Sequence, residues 1–469
     1  VKLPPGILPK IKDGLFGSPA RACLTLLTIS VYALLLGIYS NNDIDDSWSG
    51  AWIYNFWNYG ISKDIVFRAG DESYWGVRFF SHIYCYVYGA ILSITGFSKC
   101  AFHLISTACV ALGLLFWTSC AQSLFKDKGK SLAFLFVLAW SGVVFAAANK
   151  TRSDAFVFML MGLSLHLFIL KRRFLSVFVA CMAVETHPIG AMSFAYLFGY
   201  ALFHDRDLLL FKDLKGLFRC VAALLCGLAL YFLLHHEDLG SLKTILLVKS
   251  QEGAQGNFLA AHFWGHYSYS WRYLPDLLLF VSALVANIAL CGRRRLFLPV
   301  LAALTVVASF VLKRGNFHYA LFAYPAFIML LVDSVSLLKG ARLRQLVALW
   351  LLLMLPQYLF LTWFNWPGRQ RAEYLSVLRE AGIPKDARIY GMPADWFAFM
   401  DFKGFRVLSS MKAGEECYIV KHDGTPFAQP DKAGEECYIV KHDGTPFAQP
   451  DKAGEECYIV KHDGTPFAQ

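Results

Sequence analysis

Apolar residues in this chain recur in runs near 20 residues long, such as Ala20 to Tyr39 and Leu346 to Trp363, separated by short polar clusters. At the rise of an α-helix, each run covers about 30 Å, the thickness of a hydrocarbon layer. Only a helix, or a closed barrel, satisfies its own backbone there. The pattern predicts spans over about Ala20–Tyr39, Ala101–Phe125 and Leu132–Ala148, then one from Asp154 returning to Lys171-Arg172-Arg173. A broken stretch from Leu175 to Phe203 follows, interrupted by Glu185-Thr186-His187-Pro188, and reads as two short helices meeting at the break. Broken spans usually line a cavity. The next span ends at His235-His236-Glu237-Asp238, and the whole pattern predicts about eleven.

The polar clusters orient these spans. Lys126, Lys128 and Lys130, then Lys171-Arg172-Arg173, Arg206 to Arg219, Arg293-Arg294-Arg295, and Lys339 to Arg344 all fall on one side if the N-terminus is cytoplasmic. That is the expected side for basic loops. The other side receives Asn41-Asn42-Asp43-Ile44-Asp45-Asp46, Asn149 to Asp154, the loop from His235 past Trp271, and Lys313 to His318. Between Ser40 and Lys99 the chain is rich in Trp and Tyr, which suits an external loop with interfacial helices, although Phe79 to Phe97 is also long enough for a span.

Composition agrees. The 469 residues are 57% hydrophobic and 17% charged, with a mean hydropathy of +0.45, too apolar for an ordinary soluble domain of this length. The net charge of +10 does not point to nucleic acid, because the basic residues lie in short clusters between apolar runs. The 12 cysteines fall mostly inside those runs, with no CxxC pair and no Cys/His spacing suited to zinc, which fits small packed residues. The first apolar run follows Lys2, Lys10, Lys12 and Arg21 at the length of a full span, so it is expected to be retained, not cleaved.

After Asn365 hydropathy drops, and a helical stretch (Arg371 to Ala381) mixes with short apolar runs such as Ala387 to Tyr390. Beyond it, a 20-residue segment starting at Lys412 recurs letter for letter from Lys432 and, shortened, from Lys452. Each copy reads as a strand, Cys417 to Lys421 in the first, followed by a His-Asp-Gly turn. The expected organisation is an all-α polytopic membrane domain over 1–364, with the external loop at 40–99, a small external α/β appendage over 365–431, and repeat copies over 432–469. His422, His442 and His462 recur because the repeats do, and need no metal to explain them.

The candidate chemistry gathers on the non-cytoplasmic side. Asp43, Asp45 and Asp46 follow the first span, beside the apolar mouth of the membrane domain, where they form either a carboxylate site or a solvated, helix-capping loop. Arg152 with Asp154, and Lys313-Arg314 with His318 and Tyr319, supply cations and donors on the same face; Arg152 and Asp154 could equally form an ion pair at a helix start. His187, next to Pro188, either joins the site or caps the break. No glycine-rich nucleotide loop and no HExxH motif occurs.

This layout resembles the GT-C superfamily, and within it the protein O-mannosyltransferase and lipid A aminoarabinose transferase group. The features that carry the resemblance are the first span, the Asp pair after it, the aromatic segment ending in Tyr74-Trp75-Gly76-Val77-Arg78-Phe79, the Arg-x-Asp before the fourth span, and Phe317-His318-Tyr319 with Tyr324-Pro325. The resemblance covers about Leu24 to Leu408. It implies a GT-C-like fold, a polyprenyl-phosphate sugar donor, an external protein, glycan or lipid acceptor, and an inverting direct displacement. Asp45 and Asp46 then stand where the family has an Asp-Glu pair, with Asp45 the first choice as base; Asp43, Arg152, Asp154, His187, Lys313, Arg314, His318 and Tyr319 are candidates for substrate binding. The second acid is Asp in place of Glu, which shortens its reach, and the Lys expected near the broken helix pair is absent, His187 being the nearest candidate. A divalent metal is compatible with this chemistry, but no spacing implies one. The expected location is multi-pass in a bacterial inner membrane, ahead of an endoplasmic reticulum membrane, with the C-terminus external. A lipid-linked oligosaccharide ligase or polymerase, or a secondary transporter, remains an alternative; against the transporter, the ionisable residues gather at helix ends and not at mid-membrane.

Overall fold

The computed structural model describes residues 27–28, 44–60, 80–236, 285, 297–312, 321–337, 341–364, 385–391, 396–402, 404–407, 417–420 and 437–440. Its helices are α1 (Ile44–Tyr59), α2 (His82–Thr95), α3 (Lys99–Phe125), α4 (Lys128–Ala139), α5 (Gly142–Ala148), α6 (Asp154–Ile169) and α7 (Arg173–Thr186). A 3-10 turn (Pro188–Ala191) leads into α8 (Met192–His204), α9 (Arg206–Leu209), α10 (Leu214–Leu234), α11 (Phe297–Leu312), α12 (Tyr324–Leu337) and α13 (Ala341–Phe364). The C-terminal part contains β1 (Arg388–Gly391), α14 (Trp396–Phe399), β2 (Gly404–Val407), β3 (Cys417–Val420) and β4 (Cys437–Val440). The chain divides into two compact units. One holds residues 80–84 and the described elements from His103 through α13; the other holds α1, the remainder of α2, the start of α3 and the C-terminal elements.

In the first unit, helices approach closely where a small residue faces a neighbour, the usual device when apolar side chains gain little from leaving lipid. Gly227 of α10 sits where a Cβ would come within 2.5 Å of the Cys181 side chain on α7, and Gly113 of α3 likewise faces Phe158 of α6. Short polar clasps add direction. Ser164 of α6 and Ser176 of α7 each donate a hydroxyl to the other's carbonyl, at 2.9 and 2.8 Å. Tyr196 of α8 donates to the Phe322 carbonyl at 2.8 Å and accepts from Ala326 N–H of α12 at 3.3 Å. At the start of α7, buried Arg173 bonds Asp205 and, at 3.0 Å, Asp213, while Lys171 reaches Asp205 at 2.9 Å. Burial alone would raise the Asp205 carboxyl, but hydrogen bonds and charge from Arg173 and Lys171 outweigh it and hold it below the usual carboxylate range.

Among the described residues, α3 and α10 are long and apolar enough to cross a membrane, and the pair α4–α5 makes a third crossing if taken as one. α10 leaves Leu214, Phe218, Leu225, Leu228 and Leu233 exposed, a surface suited to lipid. Of the remaining expected spans, Ala20–Tyr39 lies outside the described residues apart from Leu27 and Thr28, as do the runs between 237 and 296 apart from residue 285. The expected span Leu132–Ala148 falls on α4 and α5, which meet at a bend of 61°. Its cause is the Ser141-Gly142 pair, where the Ser141 hydroxyl takes the Leu138 carbonyl at 2.8 Å and the helix restarts.

In the second unit the strands form one parallel sheet in the order β2-β1-β3-β4. Parallel neighbours need a crossover, and α14 lies in the connection from β1 to β2. Phe399 stacks on Phe405 at 5.5 Å, and Trp396 and Phe397 pack on Gly50, Tyr54 and Phe102. β3 and β4 are the same tetrapeptide, CYIV, paired in register so that Cys417 faces Cys437 and Tyr418 faces Tyr438. The helical stretch expected over Arg371–Ala381 and the third repeat copy lie outside the described residues.

Candidate functional site

Three chain segments of the first unit converge where α7 ends. His187 leaves the helix with extended backbone, since a residue before proline is steered out of the α-region. Its Nδ1 accepts from Ile189 N–H at 3.2 Å, capping the 3-10 turn, and its ring meets Phe80 edge-on at 5.6 Å. Gly190 follows because a Cβ there would sit 2.1 Å from the Ala183 carbonyl oxygen. Just before the break, Thr186 and Glu185 face residues about 100 positions earlier in the chain. Ser81, at φ 79°, donates its N–H to the Glu185 carbonyl at 2.5 Å and its hydroxyl to the Thr186 carbonyl at 2.6 Å. Those two bonds hold a backbone conformation that a serine rarely adopts.

The Glu185 side chain does what a capping residue does, from a distant part of the sequence. Its Oε1 accepts His82 N–H at 2.7 Å and its Oε2 accepts Ile83 N–H at 3.1 Å, satisfying two of the donors that the start of α2 leaves over. A carboxylate is also favoured at a helix N-terminus by the dipole. His235, the residue after α10, brings Nε2 to 3.2 Å from Glu185 Oε1, and His82 brings Nδ1 to 3.9 Å from the same oxygen. All three side chains are buried, and the two imidazoles meet edge to face at 4.1 Å. Burial, then the nearby His235, pull His82 down to about 4, so it is neutral at physiological pH. Among the described residues this triad is the group of His, Cys, Asp and Glu side chains whose donor atoms all lie within 4.8 Å of one another.

A second polar strip adjoins it. The Tyr84 hydroxyl donates to the Thr151 carbonyl, and Ser106 and Thr107 of α3 donate to the carbonyls of Lys150 at 2.6 Å and Ala148 at 3.2 Å. These bonds pin the turn between α5 and α6. There Arg152 Nε donates to Asp154 Oδ2 at 2.8 Å, and both residues are buried. Asp154 occupies the first turn of α6, where its charge also suits the helix dipole. Such a strip can present cations, backbone donors and a neutral imidazole to an anionic group, or it can fix helix ends.

The structure thus brings Arg152 and Asp154 together and places His187 as a cap beside Phe80. Asp45 and Asp46 fall in the first turn of α1. Asp43, Lys313, Arg314, His318 and Tyr319 lie outside the described residues. In the sequence, Glu185 and His235 mark only a break and a span end, and His82 belongs to no motif. Their separations, 103 residues from His82 to Glu185 and 50 from Glu185 to His235, leave no local motif to find.

No protein-family model matches the sequence, and no curated protein is similar to it in sequence. Solved structures do match. ArnT from Cupriavidus metallidurans bound to undecaprenyl phosphate superposes with a TM-score of 0.60 at 13% identity, over 81% of this chain and 84% of that one. The same protein in its apo state gives 0.59 at 13% identity over the same shares. The oligosaccharyltransferase AglB from Archaeoglobus fulgidus, in complex with an inhibitory peptide and a dolichol-phosphate, gives 0.51 at 12% identity, over 85% of this chain and 66% of that one. The likeness runs through most of both chains in the ArnT comparison, and this protein shares the fold of that structure.

Proposed function

We propose that this protein is an integral membrane glycosyltransferase that moves a sugar from a polyprenyl-phosphate donor to an external acceptor by inverting direct displacement. The observation that carries the reading is the fold shared with ArnT bound to undecaprenyl phosphate over 81% of this chain. It is supported by a buried polar strip at helix ends, the kind of place where a lipid-linked substrate presents its phosphate to protein. In this reading about eleven spans run from a cytoplasmic N-terminus to an external C-terminus, residues 365–431 form an external appendage, and the membrane is a bacterial inner membrane.

The chemistry needs a carboxylate to take the acceptor proton and donors to stabilise the departing phosphate. Asp45 is assigned as base with Asp46 beside it. Arg152, Lys313 and Arg314 are assigned to the phosphate, for which guanidinium groups are geometrically suited, and Asp43, Asp154, His187, His318 and Tyr319 to the remainder of the substrate pocket. Asp154 holds Arg152 in place.

Incubating purified protein with a panel of polyprenyl-phosphate sugars tests the reading. Loss of one donor, with release of the polyprenyl phosphate, is expected. Asp45→Asn should slow that loss about 100-fold or more with donor binding retained. Intact donors across the panel, with an acceptor extract present, would refute the glycosyltransferase reading; parent rates in both Asp45→Asn and Asp46→Asn would refute the site alone.

A further inference from the structure

We propose that His82, Glu185 and His235 bind one divalent transition-metal ion of the zinc class, which clasps the start of α2 to the ends of α7 and α10. The donor set is two imidazoles and one carboxylate, borderline ligands that suit zinc and its neighbours and are poorly matched to magnesium or calcium. All three groups are buried, and their donor atoms lie within 4.8 Å of one another.

The distances leave room for a shared cation, with the two imidazole donors within 4.8 Å of each other. An ion about 2.0–2.1 Å from each donor, at tetrahedral to trigonal angles, keeps its ligands about 3.3–3.6 Å apart. The separations of Glu185 Oε1 from His235 Nε2 and His82 Nδ1, 3.2 and 3.9 Å, bracket that range. The longer one is beyond hydrogen-bonding reach. Oε1 already accepts the His82 N–H at 2.7 Å, so one of its lone pairs is engaged and its direction is fixed. The backbone bonds from His82 and Ile83 orient the carboxylate, the role that outer-shell donors play around metal ligands. Three protein ligands leave a fourth position for water, the arrangement of an open zinc site.

The consequence is mechanical. Three segments far apart in sequence are tied at one point, next to the break at His187 and the strained Ser81. Because the folded site binds the ion and the unfolded chain offers no preformed one, loading should stabilise the protein.

The test uses the full chain in detergent, stripped with a chelator and titrated with Zn2+ and, for its visible spectrum, Co2+. One ion per chain is expected, with the absorption bands of four-coordinate Co2+ and a rise in melting temperature on adding Zn2+. His235→Gln and His82→Gln should each weaken binding about 100-fold or more and abolish the spectrum, while His236→Gln, at the exposed neighbour, leaves both unchanged. Glu185→Gln is secondary, because it also disturbs the cap of α2. Absence of stoichiometric binding by the parent chain, or equal binding and equal thermal response in the parent and both histidine variants, would overturn the proposal. Both readouts are independent of turnover, so this result and that of the donor panel stand or fall separately.

Discussion

Glu185 shows how a single side chain acquires meaning from its surroundings. Its two oxygens take the first N–H groups of α2, and it is buried beside two histidines. Glutamine keeps one acceptor oxygen and presents an amide N–H₂ to the other backbone donor, so Glu185→Gln should cost about 1–3 kcal/mol. A depressed melting temperature in detergent reads this out; an unchanged one would show that the cap is dispensable. Asp205 offers a pH test. Its folded pKa lies below the unfolded value, so the stability it contributes is complete above the unfolded carboxylate pKa, about 3.9, and is lost as pH falls through the folded value. Asp205→Asn should therefore lower the melting temperature at pH 7 and flatten its acid limb. The loss should be about 1.5–3 kcal/mol, limited because Asp213 still holds Arg173. A parallel acid limb in parent and variant would contradict the assignment.

Among elements, the broken pair α7 and α8 is the most constrained. The added Cβ of Gly190→Ala would meet the Ala183 backbone carbonyl at 2.1 Å, an atom that cannot swing away without moving the helix end. At Gly227→Ala the obstacle is the Cys181 side chain at 2.5 Å. Both changes overpack, at a typical cost of about 1–3 kcal/mol, and Gly190→Ala should be the worse of the two because its neighbour is backbone. Thermal unfolding of the two variants side by side decides it, and equal or reversed losses would mean that the turn relaxes. The bend between α4 and α5 is also local: its Ser141-Gly142 pair was present in the apolar run, but the run's length masked it.

For the molecule as a whole, the repeats and the topology carry the predictions. Deleting Lys432 to Gln469 removes β4 yet leaves β1, β2 and β3 in one sheet, so turnover and melting temperature should survive. Loss of either would assign the later copies a role. Single cysteines placed at positions 45 and 401, the latter exposed beside α14, in a background without reactive thiols, should react with an impermeant reagent from the non-cytoplasmic side, because the basic clusters hold the opposite loops inside. Labelling from the cytoplasmic side would invert the assigned orientation.

Hydrophobic run length by itself determined that the chain is helical and apolar enough for lipid, because a spanning segment must satisfy its backbone internally and that requirement is written in consecutive residues. It also located the break at Glu185–Pro188, since proline acts on its immediate neighbour. The Arg152–Asp154 pair was legible for the same reason, two residues apart at a helix start. The grouping of His82, Glu185 and His235 was decided only by tertiary structure. Packing of α7 against α10, and the reach of Glu185 to the start of α2, bring together donors whose sequence separations of 103 and 50 residues carry no periodic signal. The parallel order β2-β1-β3-β4 was likewise a tertiary outcome: identical strands announce that they can pair, but not which of them lies beside β1.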